Sequence, residues 1–307
     1  MLADGPGVSV VIPAYNYAHY LNEAVDSVLA QTYSPVELIV VNDGSTDHTR
    51  ELLDGYGDRI VAVHQENQGL SAARNTGIHR ASHEFVAFLD ADDVWEPEKL
   101  ACQMACFREL PDAYGVVACD RGSMDEHGVR NPRATTFRKF PRPTREIQVR
   151  DMLLRTHFCP SSVVARRACF VDCGEFGTTL RSSEDRDMWL RIAETWRIHL
   201  DERVLCYVRK HSSNMSANAE RMDRNMRRVL RAAQERGKVA ASSPLFWARV
   251  WAFQHFQVAW MHYEAGQRGL ALWRLFRSFV RLPWFPDPNE VDEGRLFRLR
   301  SLRLFFC

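Results

Sequence analysis

Three carboxylates stand within four residues at Asp90-Ala91-Asp92-Asp93, directly after the apolar run Glu84 to Leu89. Acids this close repel one another unless something positive sits between them. A hard divalent cation with oxygen ligands is a natural occupant, and it can bridge a diphosphate and neutralise charge on a departing phosphate. The same acids would also suit a solvated helix N-terminus. A second acidic cluster, Ser183-Glu184-Asp185-Arg186-Asp187, precedes the amphipathic stretch Met188 to Ala193. A carboxylate there can take the proton of an attacking hydroxyl, or simply cap a helix. Asp43, in Asn42-Asp43-Gly44-Ser45, offers an acceptor to the imide of a uracil ring or to a ribose, and is equally a turn former. Tyr15 offers a flat face for stacking a base. Arg74 suits a phosphate, with a solvated helix residue as the plain alternative. His211, in the polar run Arg209 to Ser216, is either a metal or phosphate contact or a surface histidine.

These residues matter together only if the chain brings them together. Runs 8–13, 36–41, 60–63, 84–89 and 114–119 read as strands, and 20–31 and 69–81 as helices, with Pro97 in the first turn of another. Strands alternating with helices predict βαβ units and a mainly parallel sheet. Such sheets bind ligands beyond the carboxyl ends of their strands. Tyr15, Asp43, Arg74 and Asp90–Asp93 all fall at or near strand ends. Residues 161–165 and 204–208 add two more strands, and 183–195 a helix. Residues 120–157, basic and Pro-rich between 130 and 145, show no period and predict a long surface loop or an acceptor-side insertion. From Ala219 onward the pattern is helical.

A chain of 307 residues, 46% hydrophobic and 26% charged, predicts one large globular domain plus an appendage. Its net charge of +1 conceals an imbalance: residues 216–307 hold 16 Lys/Arg against 8 Asp/Glu. The acidic body and basic tail are expected to face different partners. The eight cysteines include no Cys-x-x-Cys pair and predict free thiols rather than a zinc site. No secretory signal opens the chain, and the most apolar stretch, 245–261, is broken by Arg249, Gln254, His255 and Gln257. A cytoplasmic location is the expectation. Residues 268–281 and 295–307 interleave arginines with bulky apolar side chains. Such segments either pack on the catalytic domain or another subunit, or lie peripherally on the inner face of an anionic membrane. Nothing else supports a nucleic-acid partner.

Five ordered motifs carry a resemblance over residues 8–215. They are Val11-Ile-Pro-Ala-Tyr-Asn16, Val41-Asn-Asp-Gly-Ser-Thr-Asp47, Asn67-Gln-Gly-Leu-Ser-Ala-Ala-Arg-Asn-Thr-Gly77, Leu89-Asp-Ala-Asp-Asp93 and Glu184-Asp185. The set resembles glycosyltransferase family 2. That resemblance implies a GT-A fold, a Rossmann-like α/β sheet flanked by helices, over residues 1–218, with a basic, aromatic-rich helical region at 219–307. It also implies a nucleotide-sugar donor, usually UDP-linked, Mn²⁺ or Mg²⁺, and inversion at the anomeric carbon. Carried over by motif, Asp92 is the metal ligand of the DxD signature, with Asp90 near ribose or metal and His211 near metal and diphosphate. Asp43 contacts the uracil and Tyr15 stacks on it. Pro13, Asn16 and Arg74 complete the nucleotide site, and Asp185 is the general base. The acceptor is a hydroxyl of a glycan, a lipid-linked sugar or another compound, in polysaccharide or envelope-glycan synthesis; the sequence names neither it nor the oligomeric state. A sugar nucleotidyltransferase would need a Gly-rich basic loop after the first strand, and Pro13-Ala14-Tyr15-Asn16 is not one. A non-catalytic nucleotide-sugar or glycan binder would show erosion of the acidic clusters, and both are intact.

Overall fold

The computed structural model describes residues 5–132, 146–211, 218–238 and 243–283. Among these, one compact unit comprises 5–132, 146–148 and 158–211, and a second comprises 149–157, 218–238 and 243–283.

The first unit opens with β1 (Val8–Ala14), α1 (Ala18–Leu29), β2 (Val36–Asp43), α2 (Thr49–Asp54), β3 (Val61–Gln65), α3 (Leu70–Arg80) and β4 (Phe85–Phe88). It continues with β5 (Val94–Trp95), α4 (Lys99–Glu109), β6 (Tyr114–Met124), β7 (Arg130–Asn131) and β8 (Glu146–Ile147). After α5 (Val149–Leu154), which belongs to the second unit, come β9 (Val163–Arg166), α6 (Ala168–Cys173), α7 (Glu184–Ala193) and β10 (Arg197–Arg209).

One sheet holds these strands in the order β3-β2-β1-β4-β9-β6-β10-β5, with β7 on β6 and β8 on β10. Every position of β1 is buried, as expected of a strand covered on both faces. Val10 and Ile12 pack with Leu21, Val25 and Val28 of α1. The alternate position Val11 meets α3, where a Cβ on Gly77 would lie 2.2 Å from Val11 Cγ1. Only glycine lets that helix approach so closely. Period-two alternation thus serves two helical layers.

The sheet is mixed: most of its paired residues run parallel, as expected, but antiparallel strands interrupt it. β1, β2, β3 and β4 are parallel, but β9 runs antiparallel to both β4 and β6. Two reversals restore direction, and β10 then runs parallel to β6. The carboxyl ends of β1, β2, β4, β6 and β10 therefore share one edge, so residues after Phe88 and after Arg209 can meet. Two local expectations also change. Pro97 precedes α4 instead of entering it, and the stretch read as a long surface loop or an acceptor-side insertion contains β7, β8 and α5. Residues 133–145 lie outside the described residues.

The second unit contains α5, α8 (Ala219–Arg236), α9 (Pro244–Glu264) and α10 (Arg268–Arg281). Asn218 caps α8 by accepting from Arg221 N at 2.9 Å. Ala252, Phe253, Phe256 and Ala259 of α9 pack with Ala271 and Leu275 of α10. The Ser278 hydroxyl donates to the Ala252 carbonyl at 2.7 Å. The apolar arginine-rich run 295–307 lies outside the described residues.

Candidate functional site

The first two strand ends are stitched to each other. Asn16 adopts φ +57°, its N–H donates to Ser45 Oγ at 3.0 Å, and its Oδ1 accepts from Thr46 N at 2.8 Å. Asn42 Oδ1 accepts from Ser45 N at 2.9 Å. Gly44 sits at φ +75°, and a Cβ there would lie 2.7 Å from Asn67 N, so only glycine fits the turn. Asp43 is buried. Its Oδ1 accepts from Gln65 Nε2 and Gln68 N at 2.7 and 2.9 Å, and its Oδ2 from Gly69 N at 2.8 Å. A carboxylate has about four acceptor positions, so one remains. Tyr15 is 45% exposed and has a free face, whereas Pro13 is buried within β1.

The acidic turn after β4 is held from three directions. The Asp93 N–H donates to the Asp90 carbonyl at 3.0 Å, closing the turn. The Ser161 hydroxyl donates to Asp93 Oδ2 and accepts from Asp90 N at 3.1 Å. Arg209, at the end of β10, donates its N–H to Asp93 Oδ1 at 3.0 Å and its Nε to the Asp92 carbonyl at 2.9 Å. Its guanidinium also lies over the Tyr20 ring and bonds Glu23 at 2.8 Å. Two residues further, His211 Nε2 lies 2.9 Å from Asp92 Oδ2.

The second acidic motif is tied to the first by Arg74. Its guanidinium is almost wholly buried and donates to Asp90 Oδ1 at 2.7 Å and to Glu184 Oε1 at 2.8 Å. Burial opposes the charge, but Asp90 and Glu184 outweigh it and hold the guanidinium above its usual pKa. Arg74 was expected at a phosphate. It lies inside the wall instead. It donates there to the buried Glu184 and the partly exposed Asp90, whose charges compensate its own burial. Beside Glu184, burial and the Glu184 charge push the Asp185 carboxyl up to about 7, against the pull of Arg74. The preceding Ser183 sits at φ +61°, a costly conformation for a residue with a Cβ, which sets the entry to α7.

The excess of acid leaves room for a cation. Burial, then Asp90, raise the Asp92 carboxyl, and Asp93 is pushed up further by burial and by Asp92. Among the described residues no three His, Cys, Asp or Glu side chains gather as a metal cluster. Asp92 and His211 alone offer one oxygen and one nitrogen. A carboxylate oxygen beside an imidazole nitrogen fits a divalent cation that takes its other ligands from a bound substrate or solvent.

Sequence reasoning missed three contributors: Arg209, Ser161 and the clamp formed by Arg74 with Glu184. A basic residue closing an apolar strand was the visible signal for Arg209, and nothing local marked Ser161.

Comparison with known proteins bears on this arrangement. The model of glycosyl transferase family 2 matches residues 9–174. An uncharacterised glycosyltransferase of Rickettsia prowazekii is 32% identical over 215 residues, covering 70% of this chain and 67% of that protein. One of Rickettsia felis is 33% identical over 219 residues, 69% of this chain but only 35% of its own length; the chain spans about a third of several such relatives. The putative teichuronic acid biosynthesis glycosyltransferase TuaG of Bacillus subtilis is 38% identical over 141 residues, covering 43% of this chain and 56% of TuaG. Two solved structures share the fold. S. aureus TarS 1–349, in complex with UDP-GlcNAc, has a TM-score of 0.58 at 19% identity, covering 94% of this chain and 98% of that one. The mannosyltransferase PcManGT of Pyrobaculum calidifontis, in complex with GDP-Man and Mn²⁺, has a TM-score of 0.62 at 20% identity, covering 98% and 80%. The architecture is thus the GT-A fold with a C-terminal helical region.

Proposed function

The chain belongs to glycosyl transferase family 2, and on that premise we propose that it transfers a sugar from a nucleoside-diphosphate donor to an acceptor hydroxyl with inversion. The observation that carries the reading is the buried Arg74, which spans Asp90 and Glu184 and holds the two acidic motifs at one site. The transfer chemistry belongs to residues 1–218, with 219–307 a separate helical region.

Asp185 is the general base. A hydroxyl is a poor nucleophile at neutral pH, and a carboxylate raised to about 7 is a stronger base than an ordinary one while still largely ionised near neutral pH. One base and a departing diphosphate suffice for a single displacement, so no covalent sugar–enzyme intermediate is needed. Asp92 and His211 hold the divalent cation, which when bound offsets negative charge on the diphosphate. Arg74 is a positioning residue: it neutralises Asp90 and Glu184 and so fixes their neighbours Asp92 and Asp185. Arg209 and Ser161 keep the acidic turn closed.

The donor is UDP-linked. The remaining acceptor position of Asp43 suits the imide N–H of uracil, and the exposed Tyr15 suits its ring face. Pro13 shapes that edge from within β1, and Asn16 ties it to Ser45 and Thr46. TarS in complex with UDP-GlcNAc supports this choice, whereas PcManGT in complex with GDP-Man is a reminder that the fold alone does not select the base. The acceptor is an envelope glycan or its lipid-linked precursor, a class supported by the likeness to TuaG. Incubation with a panel of UDP- and GDP-sugars plus Mn²⁺ tests the reading. Release of UDP is expected, while release of GDP alone would replace the uracil assignment.

A further inference from the structure

α10 is apolar on the wrong side. Its inner face, Ala271, Leu275 and Ser278, is buried in the second unit's core. Its outer face carries Leu270, Trp273, Phe276 and Val280, exposed by 43, 53, 58 and 65%. Single exposed apolar residues are common. Four on one side of one helix, spaced three, three and four apart, form a stripe that water disfavours. The rings of Trp273 and Phe276 stack at 6.0 Å, giving the stripe a rigid aromatic centre.

The charges beside the stripe say what covers it. Helical spacing puts Arg277 and Arg281 along one border, and both are exposed. Arg277 lies over the Trp273 ring at 5.9 Å. Arg274 is turned inward, bonded to Asp223 at 2.6 Å, so it does not belong to this surface. No acid stands anywhere in α10. Helix α8 adds to the positive balance of the same unit, with Arg221, Arg224, Arg227, Arg228, Arg231 and Arg236 against Glu220, Asp223 and Glu235. A protein partner would meet the apolar stripe with apolar atoms but would have no need of so one-sided a field. An anionic lipid surface answers both at once, with acyl chains for Trp273, Phe276 and Val280 and phosphates for the arginines. Among the described residues no helix is long and apolar enough to cross a membrane, so the contact is one of lying on the surface.

We propose that the outer face of α10 docks this protein on an anionic lipid bilayer, with Trp273, Phe276 and Val280 entering the interface and Arg277 and Arg281 pairing with lipid phosphates. This surface is separate from the candidate catalytic residues and does not rest on the transferase reading. The test is flotation of the full chain with phosphatidylglycerol vesicles and with phosphatidylcholine vesicles. Binding to the anionic vesicles alone is expected, weakened by salt. Trp273→Ser with Phe276→Ser should lower it at least tenfold, and each of Arg277→Gln and Arg281→Gln about fivefold. These side chains are exposed, so the variants keep the native circular dichroism and the wild-type rate of UDP release in solution. Negligible binding to both vesicles overturns the proposal, as does unchanged binding by the Trp273/Phe276 variant. A self-associating chain that the same variant renders monomeric also overturns it, because the occupant is then a second copy. Failed flotation with normal turnover removes only this inference; failed turnover with normal flotation removes only the transferase reading.

Discussion

The polar edge of the sheet and the outer face of α10 depart from ordinary burial in opposite senses. At the sheet edge, charge is inside: Arg74, Arg209, Asp93 and Glu184 are all buried, Arg74 pairing with Glu184, Arg209 with Glu23, and Asp93 accepting from Ser161 and the Arg209 N–H. On α10, apolar surface is outside, bordered by arginine. Burying a charge costs several kcal/mol unless it is compensated, and exposing a stripe of aromatics forgoes about 25 cal/mol per Å² of burial. A chain carries both costs where a ligand, not the fold alone, completes the arrangement. The two regions differ in what substitution should do. The edge is a network in which removing one member strands another, whereas removing a side chain from the exposed α10 face strands no buried charge.

The sharpest contrast is kinetic. Asp185→Asn should lower kcat by about 10³- to 10⁴-fold with UDP affinity nearly unchanged, measured by UDP release beside calorimetric titration with UDP. Equal losses in rate and affinity would make Asp185 a donor-binding group. Next comes the clamp. Arg74→Met strips the buried Glu184 and the partly exposed Asp90 of their cation and should cost about 3–5 kcal/mol in urea unfolding. A loss under 1 kcal/mol would show that the edge is not a charge network. Asp92→Asn should reduce Mn²⁺-dependent turnover by about 10²- to 10³-fold in a folded protein, and near-normal activity would break the metal assignment. Titration gives a smaller effect. Asp185 works only when ionised and is pushed up to about 7, so kcat should fall as pH drops through that value, about tenfold per unit below it. A flat profile between pH 8 and 6 would contradict this. At the far end, Phe276→Ser should change stability by no more than about 0.5 kcal/mol.

The same contrast explains what could be learned before the structure. Strand-end motifs are local, because Asp43, Asp90 and Asp92 follow apolar runs whose period places them. The role of Arg74 is not local: it depends on Glu184, 110 positions away, and a helix residue paired across that span looks like any solvated arginine. Arg209 bonds the Asp92 carbonyl across 117 positions. The reversal of β9 was hidden for a similar reason, since a buried strand has the same composition whichever way it runs. Short elements with few residues, β7, β8 and α5, lack the length for a period to show. On α10 the interleaving of arginine and aromatics was visible, but only the ion pair with Asp223 of α8 separates Arg274, turned inward, from Arg277 and Arg281, exposed.

The proposed chemistry needs two things at once, Asp185 as a base and a cation held by Asp92 and His211. The rate of UDP release from the chain's preferred UDP-sugar, with Mn²⁺ and then with excess chelator, tests it most directly when wild type and Asp185→Asn are run side by side. Release by the wild type that chelator stops and Mn²⁺ restores is expected, with release by the variant lower by at least about two orders of magnitude. Release that survives chelation, or that Asp185→Asn leaves intact, would contradict it.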